Sequence, residues 1–431
     1  MPVEIARVSA GFEREPLRQP FGFKGSFMTD VWQTVARMDS ASGARGVGLG
    51  TQNVLWSDAN VFAAHSESGG NTLMFALTEK ALQLAAGTSF ETPIDLLDRL
   101  LPEVLDYGRT ITGRADLRPT FALNAMVAVD NAAWLLYAEE HDLRAFDALV
   151  PEAYQPGLSY QHDQVASVPA FGYASTADDL RAAAEDGFYI MKVKIGHPGT
   201  QAEMLDQDKA WLSAIHDVLG PMETPFTESG AVPYYLDANG RYEDKATLRR
   251  LLDHARSIGA FDRILVLEEP FPEHVRADVS DLGVNVAADE SAHTAEDVVE
   301  RIEMGYGSIA LKAVAKTLSM TMKMAQAAYE RDTPCFCADL TVNPILVDWN
   351  KNVAARLAPL PGLTTGLMET NGHQNYARWA TLESYHPCEA AAWRAPRDGV
   401  FPVGDDFYAR SGCIFQLSDH YENVVQPPQT G

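Results

Sequence analysis

The first chemically informative feature of this sequence is a set of charged residues recurring at the ends of short apolar runs. In order they read Met191-Lys-Val-Lys-Ile195, Leu236-Asp-Ala-Asn239, Leu267-Glu-Glu-Pro270, Ala288-Asp-Glu-Ser291 and Ile309-Ala-Leu-Lys-Ala313. Read as strands, alternation puts Lys192 and Lys194 on one face, and likewise Asp237 and Asn239. If those faces point to a common interior, Asp237, Glu268 and Asp289 converge from neighbouring strands. Three buried carboxylates repel one another and are costly to desolvate. A hard divalent cation removes that cost, and oxygen-only ligands with room for water favour Mg²⁺ over zinc. Lys194 then flanks the ion and Lys312 approaches from across the barrel, so a ligand on the metal lies between two amines.

Such an arrangement suits removal of a proton from the carbon next to a carboxylate. That proton is very weakly acidic, and a cation on the carboxylate stabilises the enediolate charge where it develops. A lysine acting as base must titrate well below its usual value of about 10.4. A neighbouring ammonium and the metal both push it down, which gives Lys192 a role beside Lys194. Each motif taken alone is ordinary: a Lys-x-Lys on a strand edge, a Glu-Glu-Pro in a loop, a snorkelling lysine. Their occurrence in order at successive strand ends, 43, 31, 21 and 23 residues apart, is what carries the reading.

The elements that must position these residues follow from hydrophobic patterning. The first 145 residues open with strand-like Val3–Ser9 and Thr34–Met38 and a glycine-rich Gly43–Gly50. Helical patterns follow at Thr72–Ala86, Pro93–Tyr107 and Pro119–His141, the last two beginning with proline at a tolerated helix start. From about residue 165 strands and helices alternate. Strand runs lie at Val168–Tyr173, Tyr189–Ile195, Tyr234–Asp237, Ile264–Glu268, Val284–Asp289, Ile309–Val314, Cys335–Asp339 and Thr364–Met368. Thr294 and Asp297 form a helix-capping pair, and Gly220–Pro233 is an inserted loop. Eight strands alternating with helices predict a (β/α)8-type barrel, with an open doubly wound sheet as the competitor.

Composition sets the outer limits. With 34 Lys and Arg against 59 Asp and Glu, the net charge is −25, so nucleic-acid and membrane-surface roles are not expected. Four cysteines are too few for a disulfide scaffold, and all four are read as reduced, which fits a cytoplasmic protein. Neither a signal-peptide pattern nor an uninterrupted apolar run of spanning length is seen.

The elements Lys192-x-Lys194, Asp237-x-Asn239, Glu268-Glu269-Pro270, Asp289-Glu290-Ser291 and Lys312 together resemble the enolase superfamily, and within it the muconate-lactonizing-enzyme-like subgroup. The resemblance implies a modified (β/α)7β barrel over 149–371, an α+β N-terminal capping domain over 1–148, and a C-terminal segment over 372–431 that returns to the capping domain. It implies Lys194 and Lys312 as the acid/base pair with Lys192 as electrostatic support. Asp237, Glu268 and Asp289 would be Mg²⁺ ligands, and Asn239 and Glu290 would position the lysines. It also implies a small-molecule carboxylate substrate and an assembly of identical copies. A base on each face points to racemisation or epimerisation. Dehydration of an acid sugar or cycloisomerisation by the same enediolate is the alternative, and a non-catalytic metal-binding protein a remote third.

Departures from the subgroup mark where the substrate would differ. After Lys312 the chain reads Ala-Val-Ala-Lys-Thr, without the subgroup's Gly-Gly turn. The last two strands end Cys337-Ala-Asp339 and Met368-Glu369-Thr-Asn-Gly-His373, making Asp339, Glu369 and His373 candidates for substrate contact. Loops at Phe21–Phe27, containing Lys24 and Ser26, and at Gly48–Asn53 would read the distal end of the substrate. The string Gly46-x-Gly48-x-Gly50 lacks the following helix of a nucleotide site.

Overall fold

The structure is a computed structural model that describes residues 2–23, 26–388 and 390–426. Its first part is a four-stranded antiparallel sheet in the order Arg45–Gln52, Ser26–Ser40, Val3–Phe23, Ser89–Phe90. Two of these strands are far longer than their apolar patterning indicates. Val3–Phe23 and Ser26–Ser40 form one hairpin with register shifts between Ile5 and Arg7 and between Pro16 and Phe21, and its last pairs are Phe21 with Met28, Gly22 with Phe27 and Phe23 with Ser26.

The glycine-rich string is a strand, and its glycines face the helix Pro119–Glu140. A Cβ on Gly46 would meet the Ala132 carbonyl at 2.1 Å, and one on Gly48 the Ala128 carbonyl at 2.2 Å. Glycine at alternate positions thus lets a helix lie directly on the sheet. That helix is long and apolar enough to cross a membrane, yet 89% of its most apolar window is buried inside the fold, as in a core helix.

The second sheet has ten strands, all parallel except one pairing. From one end to the other they are Val400–Pro402, Gln164–Val168, Gly366–Glu369, Cys335–Cys337, Ser308–Leu311, Val286–Ala288, Ile264–Glu268, Tyr234–Asp237, Lys192–Lys194 and Ala170–Phe171. Only Pro169 separates Gln164–Val168 from Ala170–Phe171; the former pairs with Gly366–Glu369 and the latter with Lys192–Lys194. The sheet therefore curls back on itself as a barrel of the expected class. Helix Pro119–Glu140 falls where the pattern puts it, and the Thr294–Asp297 capping box forms. No helix joins Glu268 to Val286 among the described residues, which suits the short 21-residue step between Glu268 and Asp289.

After the last barrel strand the chain packs on both sheets. Leu17 bridges Tyr376, and the Ser9 hydroxyl donates to the Val425 carbonyl at 3.0 Å. Cys388 and Cys413 are joined in a disulfide, while Cys335 and Cys337 are buried free thiols. This corrects the expectation of four reduced cysteines: the returning segment brings together two residues 25 apart that carry no local pairing signal.

Candidate active site

Strand register alone sets most of the site. Lys194 is the direct neighbour of Asp237, and Asp237 of Glu268, on three adjacent strands. Asp289 follows the next strand, Val286–Ala288, and Lys312 follows Ser308–Leu311. Strand ends on one rim of a parallel barrel are where side chains from distant sequence positions meet.

The side chains form one buried network. The Lys192 ammonium donates to Glu268 Oε1 at 2.6 Å and Glu369 Oε2 at 3.1 Å, and lies 2.9 Å from Asp237 Oδ2. Lys194 donates to Asp237 Oδ2 at 2.5 Å and Asn239 Oδ1 at 2.6 Å. Lys312 donates to Asp289 Oδ2 at 2.5 Å. Asn239 in turn donates to Glu290 Oε1 at 3.0 Å, and the Tyr235 hydroxyl donates to Glu268. Asn239 and Glu269 have φ of 44° and 40°, the left-handed region that non-glycine residues enter at a cost.

Electrostatics follow from this crowding. Burial pulls Lys192 down, but the charges of Asp237, Glu268 and Glu369 outweigh it and hold the amine well above the ordinary lysine range. Lys312 is raised in the same way, burial being outweighed by Asp289 and Glu290. The protein groups alone therefore raise, rather than lower, the Lys192 and Lys312 amines. Glu268 is pushed far above the usual carboxylate range by burial and by Asp237. Despite burial, Asp289 is held well below it by the ammoniums of Lys312 and Lys316.

Oxygens of Glu268, Asp289 and Glu290 lie within 4.8 Å of one another, all buried. This hard, all-oxygen donor set fits a divalent cation such as Mg²⁺. Of the three expected ligands, Glu268 and Asp289 fall in this cluster. Asp237 is instead held by both lysines of the Lys-x-Lys strand, sharing the Lys192 ammonium with Glu268.

A cavity of about 40 Å³ opens onto the network. Lys192, Lys194, Asn239, Asp289, Glu290, Lys312, Asp339 and Glu369 line it, together with Phe21, Asn53 and Trp56 from the first part of the chain. Asp339 is tied up locally: it accepts the backbone N–H groups of Leu340 and Asn371 at 2.7 and 2.9 Å, and burial raises its carboxyl to about 7. Glu369 is a partner of Lys192. His373 lies elsewhere, in a separate cavity beside Phe188 and Trp379. Ser26 opposes Phe23 in the hairpin and is not among the cavity's lining residues. Lys24 lies outside the described residues.

Four functional neighbours escaped the sequence reading. The Lys312 ammonium sits 4.8 Å from the centre of the Trp56 ring, a cation–π contact. Lys316, completely buried, donates to the Asp289 and Ala292 carbonyls at 2.8 Å each. Glu269 Oε2 accepts the backbone N–H groups of Asp289 and Ser291 at 2.8 and 3.1 Å, holding the turn that carries the acidic cluster. Arg118 reaches the Trp56 carbonyl at 2.9 Å and the Glu290 carbonyl at 3.3 Å. Two of them had a sequence signal: Lys316, four residues after Lys312, and Glu269, inside the Glu-Glu-Pro motif.

Comparison with known proteins agrees with this architecture. No curated protein matches the chain. A mandelate racemase/muconate lactonizing protein from Herpetosiphon aurantiacus superposes with a TM-score of 0.66 at 17% identity, covering 96% of this chain and 98% of that one. L-Talarate dehydratase from Polaromonas sp. JS666, complexed with Mg and L-glucarate, gives 0.64 at 19% identity over 93% of each chain. A dipeptide epimerase from Enterococcus faecalis V583, complexed with Mg and L-Leu-L-Tyr, gives 0.65 at 15% identity over 95% and 99%. At such identities the likeness is one of fold. In sequence, the family described as enolase C-terminal domain-like matches residues 175–373, the stretch that holds all five strand-end motifs. Residues 175–373, the stretch that carries these motifs, are thus similar in sequence to the enolase C-terminal domain-like family, and the chain has the fold of the mandelate racemase/muconate lactonizing enzymes.

Proposed function

We propose that the protein is a Mg²⁺-dependent enzyme that removes the α-proton of a small carboxylate substrate and returns it to either face, as a racemase or epimerase. The supporting observation is that Lys194 and Lys312 line one small cavity while anchored to different carboxylates, Asp237 and Asp289. Asp237, Glu268 and Asp289 would hold the ion, with Glu290 close enough to Glu268 and Asp289 to contribute. When bound, it supplies Lewis-acid stabilisation of the negative charge that builds on the substrate carboxylate.

The chain's own residues do the rest. One lysine Nζ takes the α-proton and the other delivers a proton to the opposite face of the same carbon. Asn239 and Glu290 fix Lys194, and the Trp56 ring fixes Lys312. The N-terminal segment, expected as a capping domain over 1–148, closes the cavity with Phe21, Asn53 and Trp56 and so would read the far end of the substrate.

Incubation with acid sugars, acylated amino acids and dipeptides in deuterated water tests the reading. Solvent deuterium at the α-carbon with both configurations formed is the expected result. Loss of water instead would make the protein a dehydratase. Lys194→Ala and Lys312→Ala are each expected to lower turnover by about a thousandfold or more while calorimetry still detects Mg²⁺ binding. Full activity in either variant removes the two-base mechanism.

A further inference from the structure

His373, singled out by the sequence but absent from the lysine cavity, borders a second cavity of about 200 Å³. It lies where the returning segment covers the barrel strands Gln164–Val168 and Gly366–Glu369. Its walls include the rings of Phe188, His373, Trp379 and Phe401, with Asp348, Glu383 and Arg394 among the other lining residues. The Phe188 and His373 rings are nearly parallel, 9° apart, with centroids separated by 6.5 Å, and Trp379 stands edge-on to His373 at 6.3 Å and 69°. Together they offer flat faces and an edge against which an aromatic ligand packs favourably. The Trp379 ring presses against the chain at Gly372, where a Cβ would meet Trp379 at 2.7 Å. Burial lowers the His373 imidazole to about 4, so at neutral pH it presents an uncharged ring. The volume exceeds the ~150 Å³ of an apolar cavity that takes up benzene.

From this geometry we infer that the cavity is a binding site, separate from the lysine cavity, for a planar aromatic ring packed against Phe188, His373 and Trp379. A flat one- or two-ring molecule matches the aromatic walls, and a polar edge on it has Asp348, Glu383 and Arg394 on the lining to meet. The site shares a wall with the reaction cavity: Thr370 and Gly372 line it, whereas the alternate residues Glu369 and Asn371 line the lysine side.

The probe is 5-fluoroindole, titrated against the full chain and read by fluorine NMR line broadening. Saturable binding is expected, weakened about tenfold in His373→Ala and retained in His373→Phe, which keeps the ring. Circular dichroism checks that each variant is folded. Lys194→Ala should bind as the parent does. Absence of saturable binding to the parent chain overturns the proposal, as does unchanged binding in His373→Ala or its loss in folded His373→Phe. Loss in Lys194→Ala would place the ring in the lysine cavity and likewise refute a separate site. None of these outcomes bears on whether Lys194 and Lys312 exchange a proton.

Discussion

Lys192 illustrates how one side chain organises the site. Its ammonium is shared by Asp237, Glu268 and Glu369, so it acts as the counter-charge that lets three buried acids sit together. Because removing one partner of a buried pair leaves an uncompensated charge, Lys192→Met should destabilise the fold by about 3–5 kcal/mol in chemical denaturation. The third cation ligand can be decided in the same residue-level terms. If Asp237 coordinates, Asp237→Asn lowers Mg²⁺ affinity in calorimetry by about tenfold or more and Glu290→Gln changes it little. The reverse ranking would give the place to Glu290, whose oxygen clusters with those of Glu268 and Asp289. Trp56 is a further discriminating position: Trp56→Leu removes the ring beneath Lys312, and kcat should fall about tenfold with KM changed less.

At the scale of elements, the contact between helix Pro119–Glu140 and the sheet rests on glycine. Gly48→Ala would drive a methyl into backbone at 2.2 Å and should cost ~3 kcal/mol, seen as a lower melting temperature. The same helix is tied to Leu318–Tyr329 through Asp130, which accepts the Ser319 N–H at 3.0 Å and hydroxyl at 2.5 Å. Burial raises the Asp130 carboxyl from 3.8 to about 7. The folded state therefore holds its proton more tightly than the unfolded chain. The resulting stabilisation is complete below 3.8 and disappears as pH rises through about 7. Asp130→Asn should flatten that part of the stability profile relative to the parent. Elements of this kind show what a sequence displays. Pro119–Glu140 was legible because its apolar residues and its initial proline agree. The long hairpin was not, because residues such as Arg14, Glu15 and Pro16 interrupt the alternation that marks a strand. The motif residues were legible because strand ends carry them in order. Trp56 and Arg118 were not, because their role exists only once the sheet and the barrel meet.

For the molecule as a whole, the returning C-terminal segment joins its own distant parts. Cys388 and Cys413 close a 25-residue loop, and a loop of that length is worth roughly 3 kcal/mol in chain entropy. Cys413→Ser should lower the unfolding free energy by that order in urea denaturation under non-reducing conditions, and reductant should have the same effect on the parent chain. Neither treatment should abolish Mg²⁺ binding, since no candidate ligand lies on that segment. The disulfide also removes the basis for a compartment inferred from free thiols. Finally, the hairpin of strands Val3–Phe23 and Ser26–Ser40 is anchored far from the lysines, at Phe90 and Val425, yet its end delivers Phe21 to the cavity wall. Under the proposed function, selectivity and reactivity would therefore reside on separate pieces of backbone. A change at Phe21 would then retune which molecules are accepted while the barrel's lysines stay in place, so close homologues of this chain could diverge in diet without diverging in chemistry.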